Sequence, residues 1–427
     1  MRFWRSDRHN FPETKVGRVQ KNLFYQWEKP VGGKTVLVDD ETLRDGLQDP
    51  SCRQPPCEAK KEYLHLIAEL GVQAVDLGMP AASPQVEQEV EALLREIATW
   101  SLGLAPNCAV RTLERDVLTC AAISHRVGFP LEVMLFLGFS SLRRTVEGWD
   151  RDFLLRKLEL IVRVAVREGL SVTFVAEDAS RTSPGDLEAA VLCAVRAGVS
   201  RICLADTTGV LSPRGAEKLV AFTRATLRDY GFQAVQLDWH GHNDRGLGLA
   251  CALAAAGAGA TRLHGTLLGV GERAGNPPLE QLLLNLHLLG FLQVPEGKLV
   301  PNLLRAADLL GLTVPPKAPV LGELAFATAT GVHASAIFKA KELGCPDFQE
   351  LVYNPLPPSW LGTSQRVLIG PYSGSANVRY WLLEHGLPVD PAVVKAILAA
   401  AKKKPMVLSD QEILEIIQNG EGEEGFS

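Results

Sequence analysis

A repeated alternation of short apolar, β-branched runs with longer amphipathic stretches constrains this chain more than any other feature. The runs fall at 35–38, 74–77, 101–104, 131–137, 171–176, 201–204, 235–238 and 262–267. The helical stretches that follow them fall at 58–70, 84–98, 113–126, 153–168, 185–197, 215–229, 246–258 and 279–289. Eight strand-then-helix units within about 250 residues match the count and size of a (β/α)8 barrel. A doubly wound open sheet alternates in the same way, but its G-x-G-x-x-G fingerprint does not follow the first strand here. The expectation is an α/β chain: a TIM barrel followed by a smaller, mainly helical C-terminal region. Within the 427 residues this gives an N-terminal extension at 1–34, the barrel at 35–293, a proline-rich linker at 294–324 and a C-terminal subdomain at 325–427.

In such a barrel the chemistry sits on loops at the C-terminal ends of the strands. The polar residues gather there: Arg44 and Asp45 after the first strand, Arg143 after the fourth, and Glu177 and Asp178 after the fifth. Asp206 and Thr207 follow the sixth, His240 and His242 end the seventh, and Glu272 to Asn276 follow the eighth. His240 and His242 stand two apart, so in an extended strand both imidazoles project from one face. An Asp, two His and an Asn meeting at one mouth suit Mg2+, Mn2+ or Zn2+. With no thiolate in the set, a closed structural zinc site is not expected. A metal with open positions polarises a carbonyl and holds a 2-oxo acid through its keto and carboxylate oxygens. Arg44 beside it is a fixed cation for an oxygen gaining negative charge, and Glu177 can steer a proton. The reaction type narrows to making or breaking a carbon–carbon bond next to a carbonyl.

Three motifs carry a family resemblance. DETLRDGLQ at 40–48 resembles the D-x-T-L-R-D-G-x-Q signature of the metal-dependent DRE-TIM enzymes. That group includes 2-isopropylmalate, citramalate and homocitrate synthases and hydroxymethylglutaryl-CoA lyase. HGHND at 240–244 resembles its H-x-H-N-D element, and GVGERAGN at 269–276 its G-x-G-E-R-x-G-N element. The resemblance implies Asp45, His240, His242 and Asn276 as metal ligands. It implies Arg44, Glu177 and Thr207, with Gln48, as contacts to the 2-oxo acid. The lyase branch uses a cysteine in the loop after the eighth strand, and 267–276 contains none. The synthase branch adds a His and a Tyr from a C-terminal subdomain that activate the acetyl-CoA methyl group. GVH at 331–333 and YNPLPPSWLG at 353–362 resemble those elements, which puts His333 and Tyr353 in these roles.

The resemblance thus implies a Claisen condensation of acetyl-CoA with a 2-oxo acid, with 2-oxoisovalerate favoured and 2-isopropylmalate as the product. Homocitrate or citramalate synthesis, or a retro-Claisen lyase reaction, is the alternative. Arg143 could select a dicarboxylate acceptor, as an arginine near this place does in homocitrate synthases. The apolar Leu77, Met79 and Leu135 could instead line a pocket for a branched aliphatic chain, although core packing is the favoured reading for them. Synthases of the isopropylmalate branch append a leucine-binding regulatory domain, and the sequence after Glu415 has no room for one. A homodimer with exchanged subdomains is expected from the same resemblance.

Charge and composition narrow the remaining classes. A formal net charge of −5 gives no electrostatic case for nucleic acid. The first residues lack an apolar signal-peptide core, and no apolar stretch has the length of a membrane span. The eight cysteines form no C-x-x-C pair, so reduced thiols in a cytoplasmic protein are expected.

Overall fold

The computed structural model describes residues 35–344 and 346–423; the expected N-terminal extension lies outside the described residues. Eight parallel strands close into a barrel in sequence order. They are β1 (Leu37–Asp40), β2 (Ala74–Asp76), β3 (Ala105–Arg111), β4 (Glu132–Gly138), β5 (Ser171–Glu177), β6 (Arg201–Asp206), β7 (Gln236–Gly241) and β8 (Arg262–Gly265). The outer helices are α1 (Cys57–Glu69), α2 (Pro84–Trp100), α3 (Glu114–Val127), α4 (Ser141–Glu147) and α5 (Arg151–Arg167). They continue as α6 (Pro184–Ala197), α7 (Pro213–Asp229), α8 (Gly248–Ala258) and α9 (Leu279–Leu288). The expected TIM barrel is therefore present.

Local chemistry explains many of the boundaries. Ser83–Pro84, Ser183–Pro184 and Ser212–Pro213 each open a helix. The serine oxygen accepts a backbone N–H of the first turn, and the proline occupies the one position where a missing N–H costs nothing. The third strand is a correction. It runs from Ala105, not over 101–104, because Ser101 (φ 50°) and Gly103 (φ 73°) turn left-handed and form the connection from α2.

The inward face of the barrel is charged where the strands begin. Arg262 donates to Asp238 (2.8 Å) and, through two nitrogens, to Glu132 (2.9 and 3.0 Å). Arg201 donates to the other oxygen of Asp238 at 2.6 Å, and Asn107 donates to both oxygens of Asp39 at 2.8 and 3.0 Å. Asp39, Asp238 and Arg262 are all buried. The apolar residues face the other way: Val75, Val133, Leu135, Phe174 and Ile202 are buried with Leu64, Ile67, Leu93 and Leu158 of the helices. By strand alternation Leu135 shares the outward face with Val133 and Leu137, so it packs in the core and does not line a pocket at the mouth. Leu77 is likewise buried.

The chain separates into two compact units, the barrel through Val294 with Asp308–Leu312, and Pro295–Ala307 with Thr313 onward. After α10 (Leu299–Leu310) the second unit holds β9 (Ala327–Thr328), α11 (Gly331–Glu342), α12 (Pro346–Leu351), α13 (Pro358–Leu361) and β10 (Arg366–Val367). It ends with α14 (Ser375–Glu384), α15 (Pro391–Lys403) and α16 (Asp410–Glu423). One core is built on Trp381, Ile397, Leu408 and Ile413, and another on Ile337, Phe338, Val367 and Tyr380. Ser409 and Glu412 form a reciprocal capping box at 3.0 and 3.3 Å and start α16. No helix among the described residues is long and apolar enough to cross a membrane.

Candidate active site

The segment after β1 is a knot of side chain–backbone bonds. Asp40 faces outward and accepts from Thr42 N (2.9 Å), Thr42 Oγ1 (3.0 Å) and the hydroxyl of Tyr63 on α1 (2.6 Å). Thr42 Oγ1 in turn accepts from Leu267 N at 2.8 Å, which ties the exits of the first and eighth strands together. With the turn pinned, Asp39 and Glu41 point into the barrel. Arg44 and Asp45 sit on the loop just beyond.

Arg44 is held on three sides. Nε donates to Asp76 Oδ2 at 2.8 Å, Nη2 pairs with Glu41, and Nη1 lies 3.8 Å from Asp45 Oδ1. Burial pushes the Asp76 carboxyl up to about 7, with Arg44 pulling against it. Burial also opposes a charge on Glu41, but Arg44, His240 and His264 outweigh it and hold that carboxyl well below its usual range.

Asp238, His240 and His242 alternate along β7 and its exit, so all three face inward. His240 Nε2 and His242 Nε2 are 3.3 Å apart and lie 3.5 and 3.6 Å from Asp45 Oδ2. Asp45 Oδ2 is buried and has no hydrogen-bond partner. Two imidazole nitrogens and an orphaned carboxylate oxygen converging on one point form a donor set that fits a divalent cation. Burial, with His240 adding to it, pushes His242 down to about 4, so its ring is neutral and carries a lone pair near neutral pH.

Asn276 is buried on the loop after β8, and its Nδ2 donates to Val270 O at 3.3 Å, which fixes the way the amide faces. That loop has no space for side chains at its glycines. A Cβ on Gly271 would lie 2.2 Å from Asn276 Nδ2. At the base of the loop Leu268 (φ 57°) donates its N–H to the buried Glu280 at 3.0 Å. Burial pushes the Glu280 carboxyl up to about 7. A carboxyl whose folded value lies above its ordinary one costs stability as pH rises through about 4.5 to about 7. Glu280→Gln is therefore expected to be more stable than wild type by about 2 kcal/mol near pH 8 and little different near pH 4. Urea unfolding at the two pH values checks this, and an equal difference at both would refute it.

The other expected residues fall into separate groups. Glu177 ends β5 and lies 3.8 Å from Arg143 Nε, while Arg143 Nη1 also pairs with Glu147 at 3.1 Å. Burial pushes the Glu177 carboxyl up and Arg143 pulls it down. Thr207 Oγ1 accepts from Asp178 N at 2.8 Å, which joins the exits of β5 and β6. Gln48 is exposed and stands apart from the inward cluster. In the second unit the His333 and Tyr353 rings stack with centroids 3.8 Å apart and planes at 23°. Thr328 Oγ1 lies 3.3 Å from His333 Nδ1.

Sequence reasoning assigned no role to Glu41, Asp76, His264 or Arg273. Arg273 (φ 58°) donates to both oxygens of Asp244 (2.8 and 3.0 Å) and to Thr207 O (2.6 Å), clamping the loops after β6, β7 and β8. Asp76 and His264 lie outside the motifs, as partners across the barrel that leave no spacing signal, while Glu41 and Arg273 stand inside them with roles that only their contacts reveal.

Known proteins are similar to this chain. A putative (R)-citramalate synthase of Methanosphaerula palustris is 32% identical over 375 residues, 87% of this chain and 69% of that protein. A homocitrate synthase of Methanopyrus kandleri is 32% identical, over 90% of this chain and 92% of its own length. A probable 2-isopropylmalate synthase of Ignicoccus hospitalis is 31% identical, with 87% and 88% covered. Among solved structures, an HMG-CoA lyase from Brucella melitensis superposes with a TM-score of 0.54 at 17% identity, covering 65% of this chain and 100% of that one. At that identity the likeness speaks for the barrel alone. The HMGL-like family model matches residues 36–309. With its closed barrel and its three motifs, this chain belongs to the HMGL-like family of DRE-TIM metallolyases.

Proposed function

We propose that this chain condenses acetyl-CoA with a 2-oxo acid and hydrolyses the thioester, with 2-oxoisovalerate as the favoured acceptor and 2-isopropylmalate as product. The observation that carries the reading is the convergence of Asp45, His240 and His242 beside the guanidinium of Arg44. The three synthases named above, which differ in their products, support it. Asp45, His240 and His242, with Asn276 as the fourth ligand, would hold a Mg2+, Mn2+ or Zn2+ ion. When bound, such an ion supplies Lewis acidity toward a keto carbonyl.

The protein's own groups do the rest. His333 accepts a proton from the acetyl-CoA methyl group, with the ring of Tyr353 stacked against it to hold its plane. The carbon so released forms its bond to the keto carbon, and the keto oxygen takes up the electron pair. Arg44, anchored by Glu41 and Asp76, offsets the charge on that oxygen. Glu177 and Thr207 orient the acceptor at the exits of β5 and β6. Water then adds to the thioester carbon and the CoA thiol leaves with a proton, which makes the sequence effectively irreversible.

The favoured acceptor follows from charge. Arg143 is already compensated by Glu147 and Glu177, so it does not offer a bare cation to a second carboxylate. Phe136 lies on the inward face of β4 two residues before Gly138 and is partly exposed, an apolar wall for an aliphatic chain.

A thiol-release screen with acetyl-CoA and 2-oxoisovalerate, pyruvate or 2-oxoglutarate tests this. CoA release is expected only with an acceptor present and with the highest kcat/KM for 2-oxoisovalerate. A preference for 2-oxoglutarate would overturn the acceptor assignment; thiol release independent of any acceptor would overturn the condensation itself.

A further inference from the structure

Glu41 anchors Arg44 in the mechanism above, but its contacts to two histidines are left there without a task. It follows β1, is 1% exposed, and contacts three cationic or ring groups from three parts of the barrel. Oε1 lies 2.6 Å from His264 Nδ1 on β8. Oε2 lies 3.2 Å from His240 Nδ1 on β7, a close contact outside hydrogen-bond alignment, and pairs with Arg44 Nη2. The opposite nitrogen of His240, Nε2, is the one that faces Asp45 and His242.

Glu41, His240 and His264 form a second cluster of metal-ligand type that shares His240 with the first. The charges argue against a second ion there. Arg44 already pairs with this carboxylate, and His264 Nδ1 takes its other oxygen. The His264 and His240 rings meet edge to face with centroids 5.6 Å apart.

We propose that Glu41 is a positioning residue that aligns His240 and Arg44 with one carboxylate, with His264 bonded to its other oxygen. A proton on His240 Nδ1, the side a carboxylate favours, leaves Nε2 with its lone pair directed at Asp45 and His242. The same Oε2 fixes the plane of the guanidinium, so the metal ligand and the cation for the developing oxygen charge are set relative to each other. Such an outer carboxylate raises the basicity of the ligand it holds, and its loss costs about 10- to 100-fold in metal affinity.

The inference rests on the site reading given under Proposed function, and it is tested without turnover. Mn2+ alone is titrated calorimetrically into the full chain, into Glu41→Gln and Glu41→Asp, and into Asp116→Asn as a control for loss of a buried carboxylate on α3, where Asp116 pairs with Arg111. Both Glu41 variants are expected to raise the Kd for Mn2+ by about 10- to 100-fold, and the control to leave it within twofold. Glu41→Asp keeps the charge and decides the matter should Glu41→Gln not fold, because the shorter arm cannot reach His240, His264 and Arg44 together. Wild-type affinity in Glu41→Asp, or an equal loss in Asp116→Asn, overturns the inference while the site reading stands. Failure of the wild-type chain to bind Mn2+ overturns both.

Discussion

Arg44→Ala should lower kcat by about a hundred- to a thousandfold, the usual cost of removing one preorganised donor to an oxygen that gains charge in the transition state. The fold should weaken at the same time. Arg44 is the shared partner of Glu41 and Asp76, both buried, and removing it leaves two carboxylates facing a low-dielectric interior. Breaking a buried pair from one side costs about 3–5 kcal/mol. Asp76 offers partial relief because its carboxyl already stands at about 7 and can take up a proton. The folded variant would then hold that proton more tightly than the unfolded chain does, so its deficit should be smaller near pH 6 than near pH 8. Steady-state kinetics with urea unfolding at the two pH values checks both halves. A kcat within tenfold of wild type would remove Arg44 from the chemistry.

His333→Ala is expected to lower kcat by about a hundred- to ten-thousandfold, the range for a positioned general base. Binding of metal and of the 2-oxo acid should stay within about twofold, because the proposed ligands lie in the barrel and His333 in the other unit. Tyr353→Phe keeps the stacked ring and should cost less than the histidine change. A calorimetric titration of Mn2+ and of 2-oxoisovalerate into His333→Ala separates the outcomes. Loss of binding with the loss of turnover would mean that His333 supports the structure of the site and is not its base.

The barrel was legible because its rhythm is: β-branched runs and amphipathic stretches alternate eight times over. The third strand was not, because Pro106 and Asn107 look like turn residues. In the structure Asn107 faces inward and spends its amide on Asp39, so the strand lacks the apolar alternation that marks the others. Of the candidate site, the group on β7 could be read from spacing two, since alternation alone puts His240 and His242 on one side. Glu41 was in plain view within the first motif, but its work depends on His264, 223 positions away in the chain. Leu135, for which core packing was the favoured reading over a pocket wall, does pack in the core. An apolar residue between two others gives no sign of which side it faces, and only the bonds of Glu132 to Arg262 and Thr173 settle which side of β4 looks inward.

The charged base of the barrel bears on how the protein meets its solvent. Arg262, Asp39 and Asp238 are at most 2% exposed, so dissolved ions cannot gather around them and weaken their attraction. Pairs on the outside, such as Arg163 with Glu159, will fade in brine, but the girdle at the foot of the strands will not. Unfolding transitions recorded from dilute buffer to strong salt should then move only by what the outer pairs and the Hofmeister character of the salt contribute.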